Sequence, residues 1–193
     1  MNTQAAVRTT KWTIDPLHSE VLFKIKHLVI STVTGSFTKF EGHVNSTGED
    51  FENAAISFSI DVSSVHTGQE QRDAHLKNSD FFEIEKYPVI SFQSTSFIKT
   101  SVDRYILTGG LTMKGVTKET TLDVEFGGTE KDQYGNTKAG FEVSGTINRK
   151  EFGVTFNALT ESGGHPRGRC ARPGCRCSRA ETPGSSSSGG RLL

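Results

Sequence analysis

The main part of the chain, residues 1–161, contains no cysteine, so its fold cannot depend on disulfide bonds. No apolar run in the chain is long enough to cross a membrane as a helix. Residues 1–10 also lack the apolar core of a secretory signal peptide. These absences lead us to expect a cytoplasmic protein that is not an integral membrane protein.

An excess of one charge is also missing, because 22 Lys and Arg balance 22 Asp and Glu. Zero net charge gives no reason to expect binding to nucleic acid or to an anionic surface. The sequence has one Trp and three Tyr but 13 Phe. Phe supplies aromatic bulk without a polar atom, which suits either a dry core or a wall that faces an apolar ligand.

Five segments alternate apolar and polar residues with the period of two that is typical of β-strands with one buried face. Long helical patterns are missing, and such strand-rich sequences favour a sandwich or a barrel. A weak helical pattern predicts one short surface helix over residues 68–78. The five predicted strands cover residues 20–27, 54–62, 87–96, 121–126 and 141–147.

Enzymatic and metal-binding motifs are not evident, so we predict no catalytic residues, no metal and no cofactor. His18 and Ser19 are adjacent, and neighbours on a strand point to opposite faces, so they cannot form a Ser–His pair directly. The remaining His residues, including His27, His66 and His75, lack the compact spacing of a metal site. In the tail, His165 and the three Cys could bind a soft metal, but chance thiols are the simpler interpretation.

Composition changes abruptly after residue 161. Residues 162–193 hold all three Cys and six Arg but no Ile, Val, Phe, Tyr or Trp. Such a segment cannot bury enough apolar area to offset the entropy lost on ordering. We therefore predict three regions, namely a flexible N-terminus (1–10), a β-barrel domain (11–161) and a disordered basic tail (162–193).

Several ordered motifs in residues 11–162 resemble the YceI-like family of small lipid-binding proteins. They are WTIDPLHSEVLFKIKH (12–27), VTGSFTKFEG (33–42), TGQEQRDAHLKNSDFFEIEKYPVISFQS (67–94), GLTMKGVT (110–117) and NRKEFG (148–153). The resemblance implies an all-β fold, an extended antiparallel, lipocalin-like barrel of eight strands. It also implies a lumen that binds, and transports or stores, a polyisoprenoid, a quinone-like lipid or a fatty amide. Family members are commonly dimers, so a homodimer is expected.

One departure from the family pattern concerns the end of the barrel. Where the family continues with a final apolar strand, this chain turns to HPRGRC (165–170). A frameshift in the coding sequence is one hypothesis for this change. We therefore expect the closing strand to be missing, which would leave unpaired edges that invite aggregation or strand exchange.

Residues on one face of each strand are the candidates for the lumen wall, although a dry, filled core would produce the same pattern. Phe81 is interpreted either as hinge packing or as a hydrophobic plug, and three residues of the predicted helix could hydrogen-bond a ligand head group at the rim: Arg72, Asp73 and His75. An enzyme that acts on a bound isoprenoid or amide through His27 and His75 is the alternative function. The candidate lumen residues are Phe23, Ile25, His27, Phe58, Ile60, Phe81, Phe92, Leu107, Val124, Phe126, Phe141 and Val143.

Overall fold

The computed structural model describes residues 9–27, 31–47, 50–133, 135–156, 174–177 and 190–192. Over these residues the chain forms one short helix, α1 (Glu70–Lys77), and two single turns of 3₁₀ helix, Val62–Ser64 and Arg149–Phe152. The strands are β1 (Thr10–Thr13), β2 (Glu20–His27), β3 (Ser31–Phe37), β4 (Phe40–Ser46), β5 (Ala55–Asp61), β6 (Val65–His66), β7 (Val89–Lys99), β8 (Arg104–Met113), β9 (Val116–Lys131), β10 (Thr137–Ser144), β11 (Gly174–Cys177) and β12 (Gly190–Leu192).

Six of the short strands combine into three long, bent ones. β1 and β2 pair with β4 and β3, respectively, and β5 and β6 pair on the other side of the same two strands. Backbone hydrogen bonds continue across the bend, from the Asp61 amide to the Lys39 carbonyl at 3.0 Å and from the Thr38 amide to the Ser64 carbonyl at 3.3 Å. With β7 to β11, this arrangement gives the eight strand positions of a curled, lipocalin-like sheet.

Among the described strands, the sheet is antiparallel throughout this path, and β12 alone pairs in parallel, with the start of β10. In an antiparallel sheet, successive connections alternate between the two ends. The β4–β5, β7–β8 and β9–β10 connections therefore lie at one end, which we call the loop end. The connection that carries α1 lies at the opposite end, the helix end, together with the β8–β9 turn. In that two-residue turn, Lys114 and Gly115 have φ values of 51° and 74°, the left-handed geometry that suits the twist of a hairpin.

A short tail segment occupies the place where we expected the closing strand to be missing. β11 pairs with β10 over four residues and with β2 over two, at Val21 and Glu20. This pairing uses backbone groups alone, so it does not require the apolar sequence whose absence led to the expectation. Apart from β11 and β12, the tail predicted to be disordered lies outside the described residues, as do residues 1–8 of the predicted flexible N-terminus.

The predicted helix over 68–78 is confirmed, with the observed bounds Glu70–Lys77. Its buried residues are Leu76 and the acidic Asp73, whereas Ala74 is exposed. Within the described part of the chain, no helix is both long and apolar enough to pass through a bilayer.

Candidate functional site

The inner face of the curled sheet lines a cavity of about 180 Å³ whose exposed wall is almost entirely apolar. It is far larger than the space that one water molecule needs, so the interior is not a filled core. Every strand position from the β1/β2 strand to β10 contributes to the wall. The lining residues are Ile14, Val21, Leu22, His43, Val44, Phe51, Ile56, Ser57, Phe58, Ile60, Phe92, Phe97, Leu107, Leu111, Thr120, Leu122, Val124, Phe141, Val143, Ser144, Gly145 and Ile147.

The period-two alternation of the strands produces this apolar wall. On β5, Ile56, Phe58 and Ile60 share one face and line the cavity. Phe58 lies directly opposite Phe92 of β7, so the aromatic side chains meet across neighbouring strands. Such cross-strand pairs of aromatic residues stabilise a sheet by about 0.2–1 kcal/mol each. The apolar face of β5 therefore lines the cavity and also packs against the neighbouring strand.

A β-bulge in β7 brings Phe97 to the cavity wall, although the alternation alone would place it on the outer face of the sheet. The pairing of β7 with β8 shifts between Ser94 and Ser96. Because of this shift, Phe92 and Phe97 both line the cavity although five positions separate them, an odd spacing that a regular strand would split between its two faces.

Aromatic rings close the cavity at its loop end. Phe51, only 1% exposed, lies between β4 and β5 and lines the cavity. Its ring centroid is 4.9 Å from that of Trp12, 5.0 Å from that of Phe141 and 5.7 Å from that of Phe126. The indole nitrogen of Trp12 donates a 3.1 Å hydrogen bond to the buried hydroxyl of Ser46, which satisfies the one polar atom of that ring.

The helix end is covered by the connection between β6 and β7. Leu76 of α1 is buried, and the ring of Phe82 packs edge-on against Phe37 at 6.1 Å. Phe37 in turn contacts Phe23 at 5.3 Å. These side chains belong to the continuous hydrophobic core, so the helix is fixed to the barrel through apolar packing.

The seam between β10 and β2 is adjacent to the cavity. Val143 on one side and Val21 on the other both line the cavity and both pair with Cys175 of β11. Among the described residues, the four of β11 are the ones that span this seam.

The predicted lumen residues divide into two groups in the structure. Phe23 packs against Phe37, Phe126 lies behind Phe51, and Phe81 packs against His75, so these three lie outside the wall, as does Ile25. The side chain of His27 lies outside the described part of the chain. The predicted residues that do line the cavity are Phe58, Ile60, Phe92, Leu107, Val124, Phe141 and Val143.

Sequence reasoning missed several residues of the wall for identifiable reasons. Val21, Ile56, Leu122 and Ile147 share strand faces with predicted residues, so the alternation already marked them. Phe97 was hidden by the β-bulge. Other missed residues lie on strands that the alternation did not reveal or in a connection: Ile14, Val44, Phe51 and Leu111.

Two of the three predicted rim residues, Arg72 and Asp73, belong to a polar network that does not line the cavity. Arg72 donates from Nε to the Thr67 hydroxyl and from Nη2 to the Thr67 carbonyl, both at 2.7 Å. The Asp73 carboxylate accepts hydrogen bonds from the Thr67 amide at 2.9 Å and from the Thr67 hydroxyl, and it lies 3.3 Å from Nδ1 of His66. Burial of Asp73 opposes ionisation, but the Thr67 hydrogen bonds and His66 outweigh it and lower the pKa of Asp73.

His75 packs in a separate aromatic cluster. Its Nε2 is 3.3 Å from the Asp80 carboxylate, and its ring meets Phe81 and Phe156 edge-on, each at 5.0 Å. These contacts assign Phe81 to packing around the helix end, not to a plug in the cavity.

Possible metal ligands are dispersed over the described residues, where no group of three or more His, Cys, Asp or Glu could hold a metal ion. His18 instead contacts Asp15 at 2.8 Å, and the Ser19 hydroxyl donates to the Asp15 carbonyl. Of the tail ligands considered above, His165 and Cys170 lie outside the described residues, as do the side chains of Cys175 and Cys177.

An eight-position curled β-sheet around an apolar cavity, with one short helix at its end, defines a lipocalin-like barrel. The YceI-like domain matches residues 12–166 of the sequence. The chain therefore belongs to the YceI-like family, and this match ends before β11.

Similar proteins agree with this assignment. UPF0312 protein SA2479 of Staphylococcus aureus is 41% identical over 156 residues, which cover 80% of this chain and 88% of that protein. The crystal structure of the Campylobacter jejuni YCEI protein is 32% identical, with a TM-score of 0.67, and covers 88% of this chain and 98% of that one. A polyisoprenoid binding domain from Saccharophagus degradans is 15% identical, with a TM-score of 0.57, and covers 89% and 97% of the two chains.

Proposed function

We propose that this protein binds a long apolar lipid whose hydrocarbon chain occupies the cavity. The observation that carries the proposal is the apolar wall, in which strand after strand contributes Ile, Leu, Val or Phe. Ligand sites of this concave, mostly apolar kind bury the greater part of the molecules that they bind. A polyisoprenoid is the preferred candidate, because the S. degradans domain that shares this fold is a polyisoprenoid binding domain. A quinone-like lipid and a fatty amide also carry a long apolar hydrocarbon chain.

Burial of the hydrocarbon chain of the lipid is enough to account for binding. Each methylene removed from water contributes roughly 0.8 kcal/mol, so about ten of them contribute about 8 kcal/mol before the costs of association. Such binding needs no cofactor and suits a protein that carries or stores its ligand, and we propose that role here. A cytoplasmic location and a homodimer stay predictions.

The alternative of an enzyme acting through His27 and His75 gains no support from the described contacts. The His75 ring is engaged by Asp80, Phe81 and Phe156, and this cluster does not contribute to the cavity wall. We therefore propose binding without catalysis.

Native mass spectrometry of the purified full chain, followed by organic extraction, tests the proposal. We expect a mass increment that disappears on extraction and returns when the delipidated protein is mixed with a long-chain isoprenoid alcohol. Delipidated, folded protein that takes up no such alcohol would refute the proposal.

A substitution within the wall adds a structural test. Phe58→Trp adds bulk inside the cavity, where unfilled space can absorb it, so we expect lipid uptake to fall while thermal stability changes little. Ile106→Trp is the matched control, because Ile106 lies on the outer face of β8 and is 37% exposed. Equal losses of binding and stability in Phe58→Trp would indicate a filled core instead.

A further inference from the structure

Phe51 has an unusual backbone conformation for a buried aromatic residue. Its φ is 60°, in the left-handed region that bulky residues rarely adopt, and Asn53, two residues later, has a φ of 59°. Backbone of this kind persists only where the surrounding structure holds it, and it is concentrated at functional sites.

The loop that carries Phe51 is fixed to β7 and β8. The Tyr105 hydroxyl donates a hydrogen bond to the Asp50 carbonyl, and the Asn53 amide donates to the Phe97 carbonyl at 2.9 Å. The rings of Phe97 and Tyr105 are themselves stacked, with centroids 4.7 Å apart. Contacts with β8 at Asp50 and with β7 at Asn53 therefore fix the backbone on both sides of Phe51.

The ring of Phe51 divides the cavity from a layer of aromatic side chains behind it. Phe51 and Phe141 line the cavity, whereas Trp12, Tyr105 and Phe126 do not. Yet Trp12 and Phe126 contact the Phe51 ring at 4.9 Å and 5.7 Å. Phe51 is thus a wall residue at the loop end, and further aromatic rings support it from behind.

We infer that Phe51 sets the maximum length of the hydrocarbon chain that the cavity accepts. The inference rests on the proposed function and adds a specificity-determining residue to it. A hydrocarbon chain in the cavity can extend toward the loop end until its terminal methyl group meets the Phe51 ring. Each methylene that fits contributes roughly 0.8 kcal/mol, or about fourfold in affinity, and carbons beyond the limit contribute nothing because they stay in water.

The test measures how the affinity of the delipidated protein for an alcohol depends on the number of carbon atoms in that alcohol. A series of saturated primary alcohols, from about C8 to about C18, displaces a fluorescent apolar probe, and affinity should rise about fourfold per methylene to a plateau. Phe51→Leu replaces the ring with a smaller aliphatic side chain, and Phe51→Ala leaves only a methyl group. In Phe51→Ala the plateau should begin about three carbons later, because surrounding side chains only partly fill the space. Phe51→Leu keeps the test valid if Phe51→Ala does not fold.

Phe152→Leu is the matched control, because Phe152 is 2% exposed and is not part of the wall. It should lose stability like Phe51→Leu but keep the wild-type plateau. An unchanged plateau in both folded Phe51 variants, or an equal change in Phe152→Leu, would overturn the inference while leaving lipid binding intact. Absence of alcohol uptake by every protein, wild type included, would refute the proposed function and the length limit together.

Discussion

The hydroxyl group of Tyr105 on β8 donates a hydrogen bond to the backbone carbonyl of Asp50, next to Phe51. Tyr105 is 2% exposed, and burial raises the pKa of its phenol, so it remains a neutral donor. This hydrogen bond helps to join the β4–β5 loop to the barrel wall. The position of the Phe51 ring thus depends on a hydrogen bond between two residues, Asp50 and Tyr105, that are 55 positions apart in the sequence.

Tyr105→Phe removes this hydrogen bond and keeps the aromatic packing. We expect the free energy of unfolding to fall by about 1 kcal/mol, the usual net contribution of one such bond. Chemical denaturation measures the change. Tyr87→Phe at the helix end is the control and should have a smaller effect, because Tyr87 is not fully buried. Equal effects of the two substitutions would show that the Asp50 contact is not special.

Gly109 on β8 lies against the bulged backbone of β7. A Cβ atom at this position would overlap the Gln93 carbonyl oxygen and approach the Ser94 Cα to 2.8 Å. Backbone atoms cannot rotate away, so we expect Gly109→Ala to destabilise the protein by about 1–3 kcal/mol.

Gly110, the next residue, provides a closely matched control. A Cβ there would meet only a Thr117 methyl group, at 3.3 Å, so Gly110→Ala should leave the urea midpoint nearly unchanged. If Gly109→Ala shifted the urea midpoint as little as Gly110→Ala does, the close approach of the β7 backbone to Gly109 would be refuted.

Asp73 should make the stability of the helix end depend on pH. Because its pKa is lowered below the ordinary value of 3.8, the ionised form contributes stability that is fully present above that value. This contribution is lost as the pH falls below 3.8 and through the folded-state pKa. Asp73→Asn should therefore cost about 1 kcal/mol at neutral pH, the difference between a charged and a neutral acceptor, and this cost should shrink in acid.

Urea unfolding of wild type and Asp73→Asn from neutral to acidic pH measures this difference. Asp80→Asn is the control, since the Asp80 side chain is 55% exposed. A cost of Asp73→Asn that stays constant down to acidic pH would contradict the assigned role of the carboxylate.

Deletion of residues 162–193 removes β11 from the seam between β10 and β2. We expect the free energy of unfolding to fall by about 1–3 kcal/mol, with Tm lower by about 2–4 °C for each kcal/mol. Exchange of bound lipid should become faster, because Val21 and Val143 on the two sides of the seam line the cavity. Differential scanning calorimetry and lipid exchange kinetics measure these effects.

A shorter deletion of residues 178–193 retains β11 and serves as the control, which should exchange lipid at the wild-type rate. If the longer deletion changes neither Tm nor exchange, the disorder predicted from composition would apply to β11 as well.

The strand-rich fold and much of the cavity wall could be predicted from local sequence patterns. Alternation with a period of two is a local property, so it identified one face of β5 and the wall residues Phe58, Phe92 and Val143 without knowledge of neighbouring strands. The motif that contains α1 and the lack of long apolar runs are likewise local features.

Which apolar residues face the cavity depends on long-range packing. The bulge in β7 turns Phe97 inward. The left-handed backbone of Phe51 places its own ring at the loop end of the cavity. Packing at the helix end holds Phe81 outside the wall. The same is true of β11, whose backbone pairs with two strands although its side chains predicted no strand. Each of these outcomes depends on contacts between residues distant in sequence, and a local pattern carries no information about such contacts.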